Sequence, residues 1–140
     1  MNEKIVLNYI VDGGDLTQAG DASSKMKMTL RKLGLSPETI RRASICMYEG
    51  EINMVIHADG GTVTVEVGLD EIDITLRDRG PGIPDVEQAM EEGYSTAGDV
   101  ARDLGFGAGM GLPNMKRYSD EMDIDSTVGV GTTVRMKIRM

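Results

Sequence analysis

The 140-residue sequence has little of what builds disulfides, metal clusters or an aromatic core: one cysteine, one histidine, one phenylalanine and no tryptophan. The single cysteine, Cys46, excludes an internal disulfide and gives no spacing typical of a metal site. No apolar run is long enough to cross a membrane. The opening MNEKIVLNYI lacks the basic start and long apolar segment of a secretory signal. These absences predict a cytoplasmic protein that does not bind membranes.

Positive charge is also scarce, because 15 Lys and Arg face 23 Asp and Glu, for a net charge of −8. Such a surface repels phosphate backbones and argues against non-specific nucleic-acid binding. A single small anion can still bind through backbone N–H groups. The eleven methionines fit either an adaptable core or an exposed patch for a partner. The length suits one domain over residues 1–140.

Polar and apolar residues alternate in several short segments, and this period of two predicts β-strands. The predicted strands are 3–11, 62–67, 71–77, 121–127 and 132–140. Residues 68–70, GLD, form a tight loop that favours an antiparallel hairpin. Because each strand has one apolar and one polar face, we expect an α+β fold. Its mixed, mainly antiparallel sheet would carry helices on one face, as a two-layer sandwich.

Helical signals lie between these strands. A helical period runs over 17–33, and Ser36-Pro37-Glu38 supplies a cap, a first-turn proline and an acid for a helix ending near Ala58. A short helix is predicted at 85–93, and another begins at LPNMKRY, 112–118. The glycine-rich segment 94–108 has the composition of a mobile loop and is interpreted as a lid.

Three motifs combine acids, amides and glycines. Glu49, Asn53 and His57 are spaced by four and share one helix face. Asp78 ends a strand and is followed by Gly80 and Gly82 in LRDRGPGIPD. The third motif, GFGAGMGLPNMKR, opens a helix with glycines, which suits phosphate binding at its N-terminus. Taken singly, each also fits an ordinary solvated helix face, a turn or a flexible linker.

The order of the motifs is more specific than any one of them. An acid-and-asparagine helix, a strand-terminal Asp-x-Gly-x-Gly, a glycine-rich loop before a helix, and Gly-x-Gly-Thr-Thr before a last strand follow one another. This order resembles the GHKL ATPase/kinase superfamily over about residues 3–139. AMEEGYSTA, GAGMGLPNMKR and DEMDIDSTVGVGTTV particularly resemble the small serine/threonine kinases of anti-sigma and stressosome signalling. Only about forty residues precede Glu49, and we expect neither a phosphoacceptor segment before the domain nor a transducer domain after it.

The resemblance implies ATP and Mg²⁺ as cofactors and gives roles to particular residues. Asp78 would accept a hydrogen bond from the adenine amino group, and Thr132 or Thr133 would support it. Asn53 would bind Mg²⁺, and Glu49 would act as general base. Further nucleotide contacts would come from Gly80, Gly82, Ile83, Gly107, Ala108, Gly109, Met110, Gly111 and Leu112. His57 is expected to pack rather than accept phosphate, and Cys46 to lie in the core.

The function implied is that of a protein serine/threonine kinase that phosphorylates a STAS-domain antagonist and thereby switches partners. An alternative is a nucleotide-binding regulator without significant turnover, which sequesters a sigma factor or activates a phosphatase. A third is an interaction domain that binds no nucleotide. The resemblance is also compatible with a homodimer.

Overall fold

The computed structural model describes residues 4–13, 19–58, 60–80, 82, 90 and 111–140, except for the side chain of His57. The elements in these ranges are, in chain order, β1 (Ile5–Asp12), α1 (Asp21–Lys32), α2 (Pro37–His57), β2 (Gly60–Val67), β3 (Glu71–Asp78), α3 (Gly111–Tyr118), β4 (Glu121–Thr127) and β5 (Gly131–Arg139). Apart from residue 90, the predicted helix 85–93 lies outside the described residues, and so does the predicted lid 94–108. No helix within the described ranges is long and apolar enough to cross a membrane.

The five strands form one sheet in the order β1-β2-β3-β5-β4. Every pairing among the described strands is antiparallel. Val67 pairs with Ile72 across the predicted 68–70 hairpin. The α+β sandwich predicted from alternation is therefore confirmed.

One face of the sheet packs against the helices and forms the core. Its fully buried strand residues are Val63, Val65, Ile72, Ile74 and Ile138. Each such side chain contributes about 1.5–3 kcal/mol on burial. Most of the described methionines lie in this core, including Met26, Met47, Met54, Met115 and Met136, whereas Met28 is exposed.

Cys46 lies in this core, as the sequence predicts. Its surroundings are apolar, and burial raises the pKa of the thiol to about 12. Because the thiolate is the reactive form of cysteine, Cys46 stays an inert packing residue at neutral pH.

The helix α2 begins as its local sequence predicts. The Ser36 hydroxyl accepts a hydrogen bond from the Thr39 N–H at 3.2 Å, and Pro37 occupies the first turn. Proline fits there because the first N–H groups of a helix have no partner within the helix. The cap therefore sets the start of α2.

The helix α1 differs from its prediction, because it begins at Asp21 rather than near 17. Gly20 lies at its N-terminus with a φ of 100° and provides no side-chain cap. The cap comes instead from the buried carboxylate of Glu51 on α2. One oxygen of Glu51 accepts hydrogen bonds from the N–H groups of Gly20 at 2.9 Å and Ala22 at 3.2 Å. The other accepts from the N–H and hydroxyl of Ser23, at 3.0 and 2.6 Å.

Replacing Glu51 by alanine should lower the free energy of unfolding by about 2 kcal/mol, because several buried donors lose their acceptor. Urea denaturation at neutral pH measures this. Glu51→Gln keeps one acceptor oxygen and should lose less. Glu38→Gln, an exposed change on the same helix, should leave stability nearly unchanged. Wild-type stability in Glu51→Ala would rule out this capping role.

The C-terminal end of α3 is fixed by Arg42 of α2. The guanidinium donates to the Tyr118 carbonyl at 3.1 Å, the Arg139 carbonyl at 3.3 Å and the Asp120 carboxylate at 2.8 Å. A bond from the Arg139 N–H, together with Arg42, holds the pKa of Asp120 below its usual value. This cluster joins α2, α3 and β5, and so holds α3 alongside α2.

Candidate functional site

Asp78 ends β3 with its carboxylate already oriented. Oδ1 accepts hydrogen bonds from the N–H groups of Gly80 at 2.9 Å and Thr132 at 3.1 Å. No donor among the described residues contacts Oδ2. Main chain thus fixes one oxygen and leaves the other able to accept a bond from a ligand.

Glycines let the backbone close around Asp78. Gly131 has a φ of 148°, and a Cβ there would collide with the Asp78 carbonyl oxygen. Gly82 has a φ of 79°, and a Cβ there would lie 2.5 Å from the Thr127 carbonyl oxygen. Glycine is required at both positions because it has no Cβ and adopts positive φ without strain.

The two threonines of β5 lie on opposite faces of the sheet. Thr133 pairs with exposed Arg77, on the face away from the helices. Thr132 is buried on the helix-covered face, and its hydroxyl lies 2.9 Å from the Ser126 hydroxyl. Because side chains alternate along a strand, Thr132 and Asp78 share a face and Thr133 does not.

Glu49 and Asn53 lie one turn apart on α2, as the spacing predicts. The Asn114 amide of α3 donates to Glu49 Oε1 at 3.4 Å. Partial burial raises the pKa of Glu49, and this bond from Asn114 opposes the rise. A half-buried carboxylate with a raised pKa is suited to accept a proton near neutral pH.

Asn53 meets the beginning of α3. A Cβ at Gly111 would lie 3.1 Å from Asn53 Oδ1 and 3.2 Å from Nδ2, so the bare backbone of Gly111 approaches the amide closely. The helix N-terminus adds unpaired N–H groups and a partial positive charge beside this amide. Leu112, by contrast, turns its side chain into the core. The Asn53 amide oxygen and the beginning of α3 therefore lie at one place.

The described residues contain no group of three or more His, Cys, Asp or Glu that could hold a metal ion. An oxygen site for Mg²⁺ needs fewer protein ligands, because this ion keeps several waters and shares phosphate oxygens. The carboxamide oxygen of Asn53 beside Gly111 fits that requirement.

Residues 14–138 match the family described as histidine kinase-like ATPase domain. The chain belongs to this family. The match covers most of the chain, so the resemblance inferred from the order of the motifs is confirmed at family level.

Named members of the histidine kinase-like ATPase family are similar to this chain in sequence. The serine/threonine-protein kinase RsbT of Bacillus subtilis (strain 168) is 33% identical over 109 residues, covering 75% of this chain and 76% of RsbT. The anti-sigma F factor of Geobacillus stearothermophilus is 34% identical over 95 residues, 64% of this chain and 62% of the factor. The anti-sigma F factor of Pasteuria penetrans is 39% identical over 95 residues, 63% of this chain and 60% of the factor.

A solved structure has the same fold. It contains the RsbU and RsbW domains of Rv1364c from Mycobacterium tuberculosis and superposes with a TM-score of 0.61 at 16% identity. The superposition covers 96% of this chain and 32% of that longer one. At this identity, the match supports the histidine kinase-like ATPase fold alone.

Several residues assigned by resemblance to the nucleotide lie outside the described residues and stay predictions: Ile83, Gly107, Ala108, Gly109 and Met110. Two polar residues of this family member were missed from the sequence, Glu51 and Asn114. Asn114 follows Pro113 at a helix start, a local signal too weak to indicate contact with Glu49. Glu51 lies between two motif residues, but its partners are about thirty positions away.

Proposed function

We propose that this chain is an ATP-dependent protein serine/threonine kinase that phosphorylates a STAS-domain antagonist protein and thereby changes partners. The observation that carries the proposal is the Asp78 carboxylate, held at Oδ1 by two backbone N–H groups and contacted at Oδ2 by no donor among the described residues. Family membership and the kinase named RsbT support the same reaction. A cytoplasmic location follows from this proposal, because ATP is supplied there.

Asp78 would select the base. Its Oδ2 would accept a hydrogen bond from the adenine amino group, and hydrogen bonds to charged acceptors are the stronger kind. Thr132 rather than Thr133 would support this contact, because Thr132 donates its N–H to Asp78 and lies on the same face. Gly80, Gly82 and the neighbouring Ile83 would line the base.

Asn53 and the start of α3 would hold the phosphate end. The Asn53 oxygen would bind Mg²⁺, which supplies charge neutralisation to the phosphates when bound. The N–H groups of Gly111 and Leu112 would face the phosphates, together with the preceding Gly107, Ala108, Gly109 and Met110. Backbone donors suit this role in a protein with a net charge of −8.

Glu49 would act as general base. Its carboxylate would accept the proton of a serine or threonine hydroxyl on the partner while that oxygen bonds to the γ-phosphorus. The bond from that phosphorus to the bridging oxygen breaks, and ADP leaves with the electron pair. Asn114 would orient Glu49 through the bond to Oε1.

As pH is lowered, the rate of phosphoryl transfer should begin to drop at a pH above the ordinary pKa of glutamate. The reason is that burial raises the pKa of Glu49, so this base takes up a proton at a higher pH. Asn114→Ala removes the bond that lowers this pKa. In Asn114→Ala, the drop in the transfer rate should therefore begin at a higher pH than in wild type. Single-turnover rates across pH measure both. An identical acid limb in the variant would contradict the proposed link between Asn114 and Glu49.

The direct test incubates the purified chain with γ-labelled ATP, Mg²⁺ and each STAS-domain protein encoded in the same genome. Label on a serine or threonine of one of them is the expected result. Transfer to none would count against the kinase.

A second function has specific support in the name anti-sigma F factor. Here nucleotide would control binding to a sigma factor or a phosphatase, without significant turnover. Glu49→Gln distinguishes the two functions, because a binding module would keep its response to its partner. A homodimer fits either function.

A further inference from the structure

Basic residues are concentrated in one part of this acidic protein. Residues 25–42 contain six Lys and Arg and one acid, Glu38, for a charge of +5. The other 122 residues contain nine basic and 22 acidic residues, for a charge of −13. The segment covers most of α1 and the start of α2, so this part of the two helices is basic although the protein as a whole is acidic.

A groove of about 390 Å³ runs between α1 and α2 in this basic region. We call it the α1–α2 groove. Its lining combines cations with apolar side chains, among them Lys27, Arg31, Arg41, Leu35, Ile40 and Ile45. A groove with apolar walls and charged edges suits an amphipathic segment better than a small ion.

Two of the three cations are not neutralised within the described residues. Arg41 pairs with Glu38 at 2.9 Å and lies 5.3 Å from the centre of the Tyr118 ring. Lys27 and Arg31 are exposed and form no ion pair in the described part of the chain. They are spaced by four, so both lie on the same face of α1.

We propose that the α1–α2 groove binds an acidic amphipathic helix of a partner protein. Carboxylates one turn apart on that helix pair with Lys27 and Arg31, and its apolar stripe packs on Leu35 and Ile45, which line the groove and are partly exposed. The positive charge selects an acidic occupant. The concave apolar lining selects a protein segment over nucleic acid, which the overall net charge of −8 repels.

The groove is separate from the Asp78 site and from the proposed base. Neither Glu49 nor Asn53 lines the groove. On α2, Ile40 lies on the side opposite Glu49, whereas Arg41 and Ile45 lie on the same side as Glu49 but one or two turns nearer the start of the helix. The Glu49 carboxylate is therefore not part of the groove. The inference does not depend on the kinase reaction, and substitutions here should leave ATP affinity and phosphoryl transfer unchanged.

The probe is a fluorescein-labelled helical peptide of about 15 residues, with Glu residues spaced by four beside a leucine stripe. A counterpart has Lys in place of each Glu. Fluorescence anisotropy should show binding of the Glu peptide, weakened by salt, and little binding of the Lys peptide. Amide exchange should be slowed by the Glu peptide in α1 and the first half of α2.

Lys27→Glu with Arg31→Glu should weaken the Glu peptide about tenfold and improve binding of the Lys peptide. The matched control is Lys25→Glu with Lys32→Glu, which makes the same charge change on the same helix outside the groove lining. This control should stay within about threefold of wild type.

Any one of three results would overturn the proposal. The first is no binding of the Glu peptide, and the second is an equal loss of affinity for it in the two double variants. The third is that phosphatidylglycerol vesicles or single-stranded DNA bind at the groove more tightly than the Glu peptide does. Melting temperatures and ATP affinity of every variant check that the fold is kept. Wild-type protein that transfers phosphate normally but does not bind the Glu peptide would reject the groove and leave the proposed kinase standing.

Discussion

Asp78→Asn should weaken ATP binding by about 10- to 100-fold, which corresponds to losing a hydrogen bond to a charged acceptor. The physical reason lies in the contacts on either side of the carboxylate. Two N–H groups, from Gly80 and Thr132, occupy one side, and the adenine amino group would donate to the other. An amide has one acceptor and one donor, so either orientation of asparagine sets a donor against a donor.

Titration calorimetry with ATP and Mg²⁺ measures this loss. The rise in melting temperature with ATP should shrink in parallel, because ligand stabilises the native state by mass action. Asp73→Asn is the matched control: it lies on the same strand and makes the same charge change, but faces away from the helices beside Lys4. Equal ATP affinity for Asp78→Asn and Asp73→Asn would remove Asp78 from the proposed adenine site.

Glu49→Gln should slow phosphoryl transfer by about 10²- to 10⁴-fold and leave ATP affinity nearly unchanged. Glutamine keeps the size of the side chain and an oxygen that can accept the bond from Asn114. It cannot take up the proton of the attacking hydroxyl. The defect should therefore lie in the chemical step rather than in binding.

Single-turnover transfer from γ-labelled ATP to the partner protein that accepts the phosphate measures the rate. Calorimetry measures the affinity for ATP. Glu38→Gln provides a matched control, because it makes the same substitution on the exposed first turn of α2. A Glu49→Gln protein that transfers phosphate within about threefold of wild type would exclude Glu49 as the general base. The nucleotide-binding regulator would then be the better interpretation.

The bounds of α2 and of the strands were predictable because their signals are local. The Ser36 cap sets the start of α2, and alternation along β3 and β5 distinguishes buried from exposed positions. The start of α1 was predicted wrongly for a physical reason. Its cap, Glu51, belongs to another helix, and the periodicity of the α1 residues themselves does not reveal it.

Some features of the candidate site were likewise predictable from the sequence, and others were not. The spacing of Glu49 and Asn53 places them on one helix face, and the strand-ending position of Asp78 is visible in the sequence. The sequence does not show which of Thr132 and Thr133 contacts Asp78, because this depends on the register of two strands more than fifty residues apart. That register sets Arg77 opposite Thr133 and brings the Thr132 N–H to Asp78.

The amino-acid sequence by itself determined the elements, their buried faces and the family to which the chain belongs, since caps, periodicity and motif order depend on neighbouring residues. Only the tertiary structure decided how Glu51 caps α1, how Asn114 reaches Glu49, how Gly111 meets Asn53, and where α1 and α2 leave a basic groove. These contacts depend on how separate elements pack. Packing is determined by the whole core, so no local pattern encodes them.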